Sequence, residues 1–177
     1  KFILLSSTEV YGDTGEEADE FAELAAAGER GIRFIREERL LDIYRKQRRM
    51  DAVILRASQL YTNRPKEGGG DFLSRSFSAA VQAEGRMPAD EFQPLHVSDF
   101  VDAVKRVMDA GTHHVYNVCG SGRISAKRLY QLVCEQEKIQ ERAVQWEDPE
   151  CVTMADSGRI RQELGWSDFR NLEEQMQ

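Results

Sequence analysis

Ser6-Ser7-Thr8-Glu9-Val10-Tyr11-Gly12-Asp13, entered through the apolar run Phe2-Ile3-Leu4-Leu5, is the stretch that decides how the chain is read. An aliphatic run that stops at small hydroxyl residues reads as a buried parallel strand ending at the carboxyl edge of a sheet. Open α/β sheets place their chemistry at that edge. Here the edge presents Ser7, Thr8 and Glu9, which together offer hydroxyls and a carboxylate. A plain strand followed by a hydroxyl-rich turn fits these residues about as well, so the segments downstream decide.

Outward from the strand, residues 14–31 are acidic and alanine-rich, punctuated by Gly15, Gly28 and Gly31. They predict a loop with one short helix near Glu20 to Ala27. From Arg33 to about Arg49, Phe34, Ile35, Leu40, Leu41 and Tyr44 recur at helical spacing. Asp51 to Arg56 is the next buried strand. Lys66 to Gly70 reads as a glycine-rich loop and Phe72 to Glu84 as a helix. A short strand at Leu95-His96-Val97 enters a helix capped by Ser98 or Asp99, with Phe100, Val101, Val104, Val107 and Met108 on its apolar face. Val115 to Val118 is a strand, and Ser125 caps a helix holding Leu129, Leu132 and Val133. Leu172-Glu173-Glu174 opens the last helix.

Composition narrows the function classes. The 177 residues suffice for one domain with a real core, and 41% hydrophobic with 31% charged residues is ordinary for a globular protein. With 31 acidic against 24 basic residues the net charge is −7, which argues against nucleic-acid or anionic-membrane binding. No apolar run approaches the ~20 residues of a membrane span. Cys119, Cys134 and Cys151 are spaced unlike a metal site and read as reduced thiols of a cytoplasmic protein. His96, His113 and His114 lack the neighbours of a zinc site, so no metal is expected.

Four segments in order carry a family resemblance: SSTEVYGD at 6–13, ILRASQLYTNRP at 54–65, HVSDFVDAV at 96–104 and DSGRIRQELGW at 156–166. Together they resemble the extended short-chain dehydrogenase/reductases, in particular the NAD-dependent nucleotide-sugar epimerase/dehydratase family. Glu9 before Val10-Tyr11-Gly12 is more similar to the sugar 4,6-dehydratases and UDP-glucuronate decarboxylases than to the simple epimerases. The resemblance implies an α/β fold: part of a Rossmann-like parallel sheet with helices, plus a small mixed α/β substrate-binding lobe. Residues 1–62 are then the carboxyl-terminal part of the Rossmann-like domain. Residues 63–177 are mostly the lobe, with 93–120 partly returning to the sheet. The glycine-rich dinucleotide fingerprint and first strands belong to an absent amino-terminal part.

The same resemblance assigns sites. Ser7 is the catalytic hydroxyl, with Thr8 and Glu9 completing the retained edge. The tyrosine and lysine of the family's acid/base pair fall on Phe34 and Glu38. Phenylalanine has no proton to exchange, and a carboxylate disfavours a phenolate. Glu38 retains the capacity to accept from ribose hydroxyls, and Ser6, Ser7, Glu38, Arg56, Ala57 and Ser58 border the cofactor. Tyr44, with Arg48 four residues on, lies nearly three turns from the proper place and reads as a packing residue. Gln59, Tyr61, Arg64, Arg86 and Phe92 fall at substrate-binding positions, where Gln59 replaces an asparagine and Phe92 an arginine. Arg64, Lys66, Arg75 and Arg86 are available to supply charge to a diphosphate instead, but each taken singly reads as a solvated surface cation. Gly120-Ser121-Gly122-Arg123-Ile124-Ser125 has the context of a phosphate loop but Ser125 at its third glycine, and reads as a turn.

The expected function is therefore NAD-dependent epimerase/dehydratase-like, acting on or binding nucleotide sugars with impaired catalysis. The alternatives are an active epimerase, dehydratase or decarboxylase using Ser7, Glu9 or Tyr44 as acid/base, and a non-enzymatic scaffold or regulatory partner. NAD or NADP is expected in the full-length protein and none on this segment alone. The exposed sheet edge is expected to meet the absent half or a second chain, as in a homo-oligomer.

Overall fold

The apolar runs become strands where they can be covered, and the helices fall where one face is apolar. The computed structural model describes residues 1–62, 86–88, 90–138, 140–141, 143–148 and 153–175. The expected loop at 66–70 and helix at 72–84 lie outside these residues, as do Arg64, Lys66, Arg75, Cys151 and the side chain of Arg86. Strand β1 (Phe2–Ser7) runs into a 3-10 turn (Thr8–Tyr11), then β2 (Glu17–Ala18), α1 (Glu29–Arg48), β3 (Ala52–Ala57) and β4 (Leu60–Tyr61). Next come β5 (Arg86–Pro88), β6 (Glu91–Phe92), β7 (Leu95–His96), α2 (Val97–Ala110) and β8 (Val115–Val118). The remainder is β9 (Ile124–Ser125), α3 (Ala126–Glu137), β10 (Gln145–Glu147), β11 (Met154–Ala155), α4 (Gly158–Leu164) and α5 (Leu172–Gln175).

The central sheet is parallel, in the order β1-β3-β8, with Phe2 opposite Ala52, Ser7 opposite Ala57 and Ile54 opposite Val115. Every residue of β3 is buried. Side chains alternate across a strand, so Val53, Leu55 and Ala57 join Ile3 against Phe100, Ala103 and Val107, while Ala52 and Ile54 join Leu4 against Leu41. Helix α1 thus covers one face, and α2 with Ile160 of α4 the other. At β1 the cover is incomplete: Phe2 is 49% and Leu5 48% exposed. Its outer edge has no partner strand among the described residues.

Three local expectations are corrected. No helix forms near Glu20 to Ala27; that stretch, after β2, contains only turns and irregular chain, and α1 begins at Glu29 instead of Arg33. Its alanines lack an amphipathic stripe, whereas the stripe of α1 has a face to bury. The helix after β7 is capped by neither Ser98 nor Asp99. His96 takes that place, its Nδ1 accepting from the Ser98 amide at 3.2 Å. Asp99 is instead buried and turned toward the chain's end, where its carboxylate accepts from the amides of Phe169 (3.2 Å) and Arg170 (3.1 Å) and from the Arg170 guanidinium. Trp166 Nε1 donates to the Asp99 carbonyl at 3.0 Å. The 96–104 and 156–166 segments are therefore two halves of one tether.

Two glycines let the chain before α1, and α1 itself, close on the end of β1. Gly12 has φ +70°, and a Cβ there would lie 2.5 Å from the Ala25 carbonyl oxygen. At Gly31, on α1, a Cβ would lie 2.6 Å from the Glu9 carbonyl oxygen. Only a residue without a side chain permits either approach.

Candidate functional site

A pocket of about 260 Å³ opens where β1 and β3 end. Ser6, Ser7 and Glu9 line it from β1 and the following turn, and Arg30 and Phe34 from one face of α1. Ala57, Ser58, Gln59 and Tyr61 close it from the β3 side. Strand ends and helix converge here because Gly31 brings α1 against Glu9. Ser7 Oγ accepts from the Glu9 amide at 3.2 Å, which fixes the turn through an oxygen lone pair. Glu9 forms an ion pair with Arg30 at 3.5 Å, and the Arg30 and Arg33 guanidiniums lie 5.8 and 5.1 Å from the Phe34 ring centroid.

Glu38 shares the helix with Phe34 but is not among the residues lining this pocket. It is 4% exposed. Ser6 Oγ donates to Oε1 at 2.5 Å, Arg56 Nε donates to the same oxygen at 3.1 Å, and Arg56 Nη2 donates to Oε2 at 2.7 Å. Both oxygens are occupied, so the expectation that Glu38 accepts from ribose hydroxyls is corrected. Arg56, expected at the cofactor, is likewise buried beneath the site. Its Nη1 donates to Tyr11 Oη at 2.8 Å, and that hydroxyl donates to Asn117 Oδ1 at 2.7 Å. Burial pushes the Tyr11 phenol up to about 12 against the lowering influence of Arg56, so it stays protonated at neutral pH. Asn117 Nδ2 completes the network on the carbonyls of Ala18 (3.0 Å) and Asp156 (3.1 Å).

Other candidates separate in the same way. Thr8 is buried, and Phe92 packs against the cluster around Tyr61, Ile124 and Tyr130, so neither lines the pocket. Gln59 lines it, with Oε1 accepting from the Gln93 amide at 3.0 Å. Tyr44 is half-exposed and lies outside the pocket, which removes it both as acid/base and as the core residue its spacing suggested. Tyr61 lines the pocket but donates to the Arg170 carbonyl at 3.3 Å. Its phenol is pushed up to about 12, chiefly by burial and then by Asp99. A group with so high a pKa is a poor proton carrier near neutrality. Sequence reasoning missed Arg30. It stands one turn before Phe34, a spacing that shows only once α1 is known to start at Glu29.

The Gly120–Ser125 turn uses its amides internally: Gly120 N–H on Ser58 Oγ at 3.3 Å and Ser121 N–H on Asp168 at 2.7 Å. Ser125 caps the following helix through Arg128 N–H at 3.2 Å. Cys119 and Cys134 are free and buried. Among the described residues no group of His, Cys, Asp and Glu is placed to hold a metal ion, and no helix is long and apolar enough to cross a membrane.

Against known families, residues 1–119 match the NAD dependent epimerase/dehydratase family. The chain belongs to that family. Among solved structures it is similar to the dTDP-glucose 4,6-dehydratase of Bacillus anthracis in complex with NAD, at 17% identity and TM-score 0.82, covering 100% of this chain and 59% of that one. It is also similar to the UDP-glucose 4-epimerase of Thermotoga maritima with UDP-glucose, at 19% identity and TM-score 0.82, covering 99% and 60%. The UDP-glucuronic acid 4-epimerase of Bacillus cereus in complex with NAD gives 16% identity and TM-score 0.79, covering 99% and 56%. The chain thus spans under two thirds of the length of each. A search of curated protein sequences gave no match. These likenesses establish a Rossmann-like α/β fold. The pocket lies just below the ~300–1,000 Å³ of ordinary ligand sites, and the amides of Gly120 and Ser121 are already occupied by Ser58 and Asp168.

Proposed function

We propose that this chain is the catalytic-edge and substrate-lobe part of a family member that binds nucleotide sugar and dinucleotide with its acid/base pair degenerate. One observation carries the reading: the helix face that meets the pocket offers Phe34, while Glu38 is buried against Arg56. Neither a titrating hydroxyl nor a lysine ammonium meets the pocket from α1. General acid/base catalysis typically contributes about 10²–10⁴ in rate, and this arrangement removes it. On this reading residues 1–62 belong to the Rossmann-like domain and 63–177 mostly to the substrate lobe. NAD is then completed by phosphate-gripping amides outside the described residues.

The test uses the full-length protein. Absorbance and calorimetry should detect bound or binding NAD and UDP- or dTDP-sugars, while turnover of UDP-glucose, dTDP-glucose and UDP-glucuronate stays at background. Turnover at ordinary enzyme rates, roughly 1–10³ per second, would end the degenerate reading. The alternative, an active enzyme, then rests on Ser7 and Glu9, which share the pocket.

A further inference from the structure

We propose that Arg30 is the anion-recognition residue of the sheet-edge pocket, and that Glu9 occupies it as an internal stand-in until a ligand arrives. The inference deepens the reading of this pocket as a nucleotide-ligand site and rests on it. The family's cation is expected one turn after the tyrosine position, but at that place this chain has Glu38, neutralised by Arg56. Among the described residues lining the pocket, Arg30 is the one cation and Glu9 the one anion. Arg30 stands one turn on the other side of Phe34, with its guanidinium near the ring. The positive charge has moved along the same helix face, from beyond Phe34 to before it.

The geometry of the Glu9 pair fits a displaceable partner. At 3.5 Å it is long for a charge-assisted hydrogen bond, and the Arg30 and Glu9 side chains are 52% and 37% exposed. Exposed pairs of this kind contribute little stability, so a ligand anion displaces Glu9 without unfolding anything. Arginine's planar fork then suits two oxygens of one carboxylate or phosphate group. Ser7 from the β1 side and Gln59 from the β3 side line the same pocket to orient the uncharged part. Arg33 does not compete for this role: it lies outside the lining and faces Glu37 on its own helix at 3.5 Å.

The ligand chemistry is an anionic group with at least two oxygens, from either a sugar carboxylate or a phosphate. In the full-length protein, calorimetric titration with UDP-glucuronate, UDP-glucose and NAD distinguishes these sources. Arg30→Ala should weaken binding by about tenfold, the lower end for a hydrogen bond to a charged group. Loss confined to UDP-glucuronate identifies the carboxylate, equal loss for both UDP-sugars the sugar-nucleotide phosphate, and loss confined to NAD the dinucleotide phosphate. Glu9→Gln should strengthen the same ligand by a few-fold, because the stand-in is gone. Opposite signs from the two partners of one ion pair are the decisive readout, since a purely structural bridge would give losses from both sides. If the wild-type protein binds one of these ligands and Arg30→Ala leaves all affinities unchanged, or if Glu9→Gln weakens binding as Arg30→Ala does, the assignment to Arg30 is overturned. If the wild-type protein binds none of the three, the reading of the pocket itself falls, and this assignment with it.

Discussion

Phe34 and Glu38 share a helix and differ in what surrounds them, and that difference governs how each tolerates change. Phe34 is half-buried at the pocket, so Phe34→Tyr should alter stability by less than about 0.5 kcal/mol. Glu38→Lys should destabilise by about 3–5 kcal/mol in chemical denaturation, because it buries an ammonium against the unpaired Arg56 guanidinium. Rebuilding a tyrosine/lysine pair therefore requires Arg56 to change as well. A Glu38→Lys protein as stable as wild type would show that the Arg56 pair is not held in solution. That position 34 is a phenylalanine and position 38 a glutamate was legible from residue identity alone. The destination of Glu38 was not, because spacing assigns a face of a helix but cannot reveal a guanidinium arriving from a strand eighteen residues away.

Elements were read well where an apolar period was strong and poorly where polar groups decide the ends. β3 and α2 were legible from aliphatic runs; the capping of α2 was not, since histidine is a weak prior for an N-cap and Asp99 a strong one. Asp99 serves a longer-range purpose, and Asp99→Ala should cost roughly 3 kcal/mol by freeing the Phe169 and Arg170 amides from their acceptor. Loss of amide-exchange protection should then concentrate at residues 166–170; unchanged protection there would refute the tether. His96, the cap, carries a pH consequence. Burial, and then the Arg170 charge, hold its pKa below the usual 6.5. A base whose folded pKa is depressed contributes stability that is present above the unfolded value and is lost as pH falls through it. Thermal melts should weaken as pH falls below about 6.5, and His96→Asn, which keeps a capping oxygen, should flatten that slope. A slope unchanged in the variant would assign it elsewhere; His114 also has a lowered pKa, from burial and Arg45.

For the molecule as a whole, β1 is an exposed margin of the central sheet. Half-exposed Phe2 and Leu5 flank a strand edge with no partner among the described residues, an arrangement proteins seldom leave open. The 177-residue chain alone should therefore self-associate in sedimentation velocity, and Leu5→Lys should shift it toward monomer. A monodisperse wild-type monomer would show that the edge is managed otherwise. Sequence reading expected this margin because the family resemblance places further strands beside an apolar run that reads as covered on both faces. It did not anticipate that Leu5 also borders the pocket, since the tip of a strand belongs to both faces at once. The parallel register carries a consequence in time. Phe2 waits for Ala52, and Ile54 for Val115, so no strand of the central sheet finds its neighbour nearby in the chain. Local contacts cannot reward either pairing before a whole helix and its loops have closed. During synthesis at about 5–20 residues per second, β1 therefore spends several seconds outside the ribosome before β3 exists to receive it.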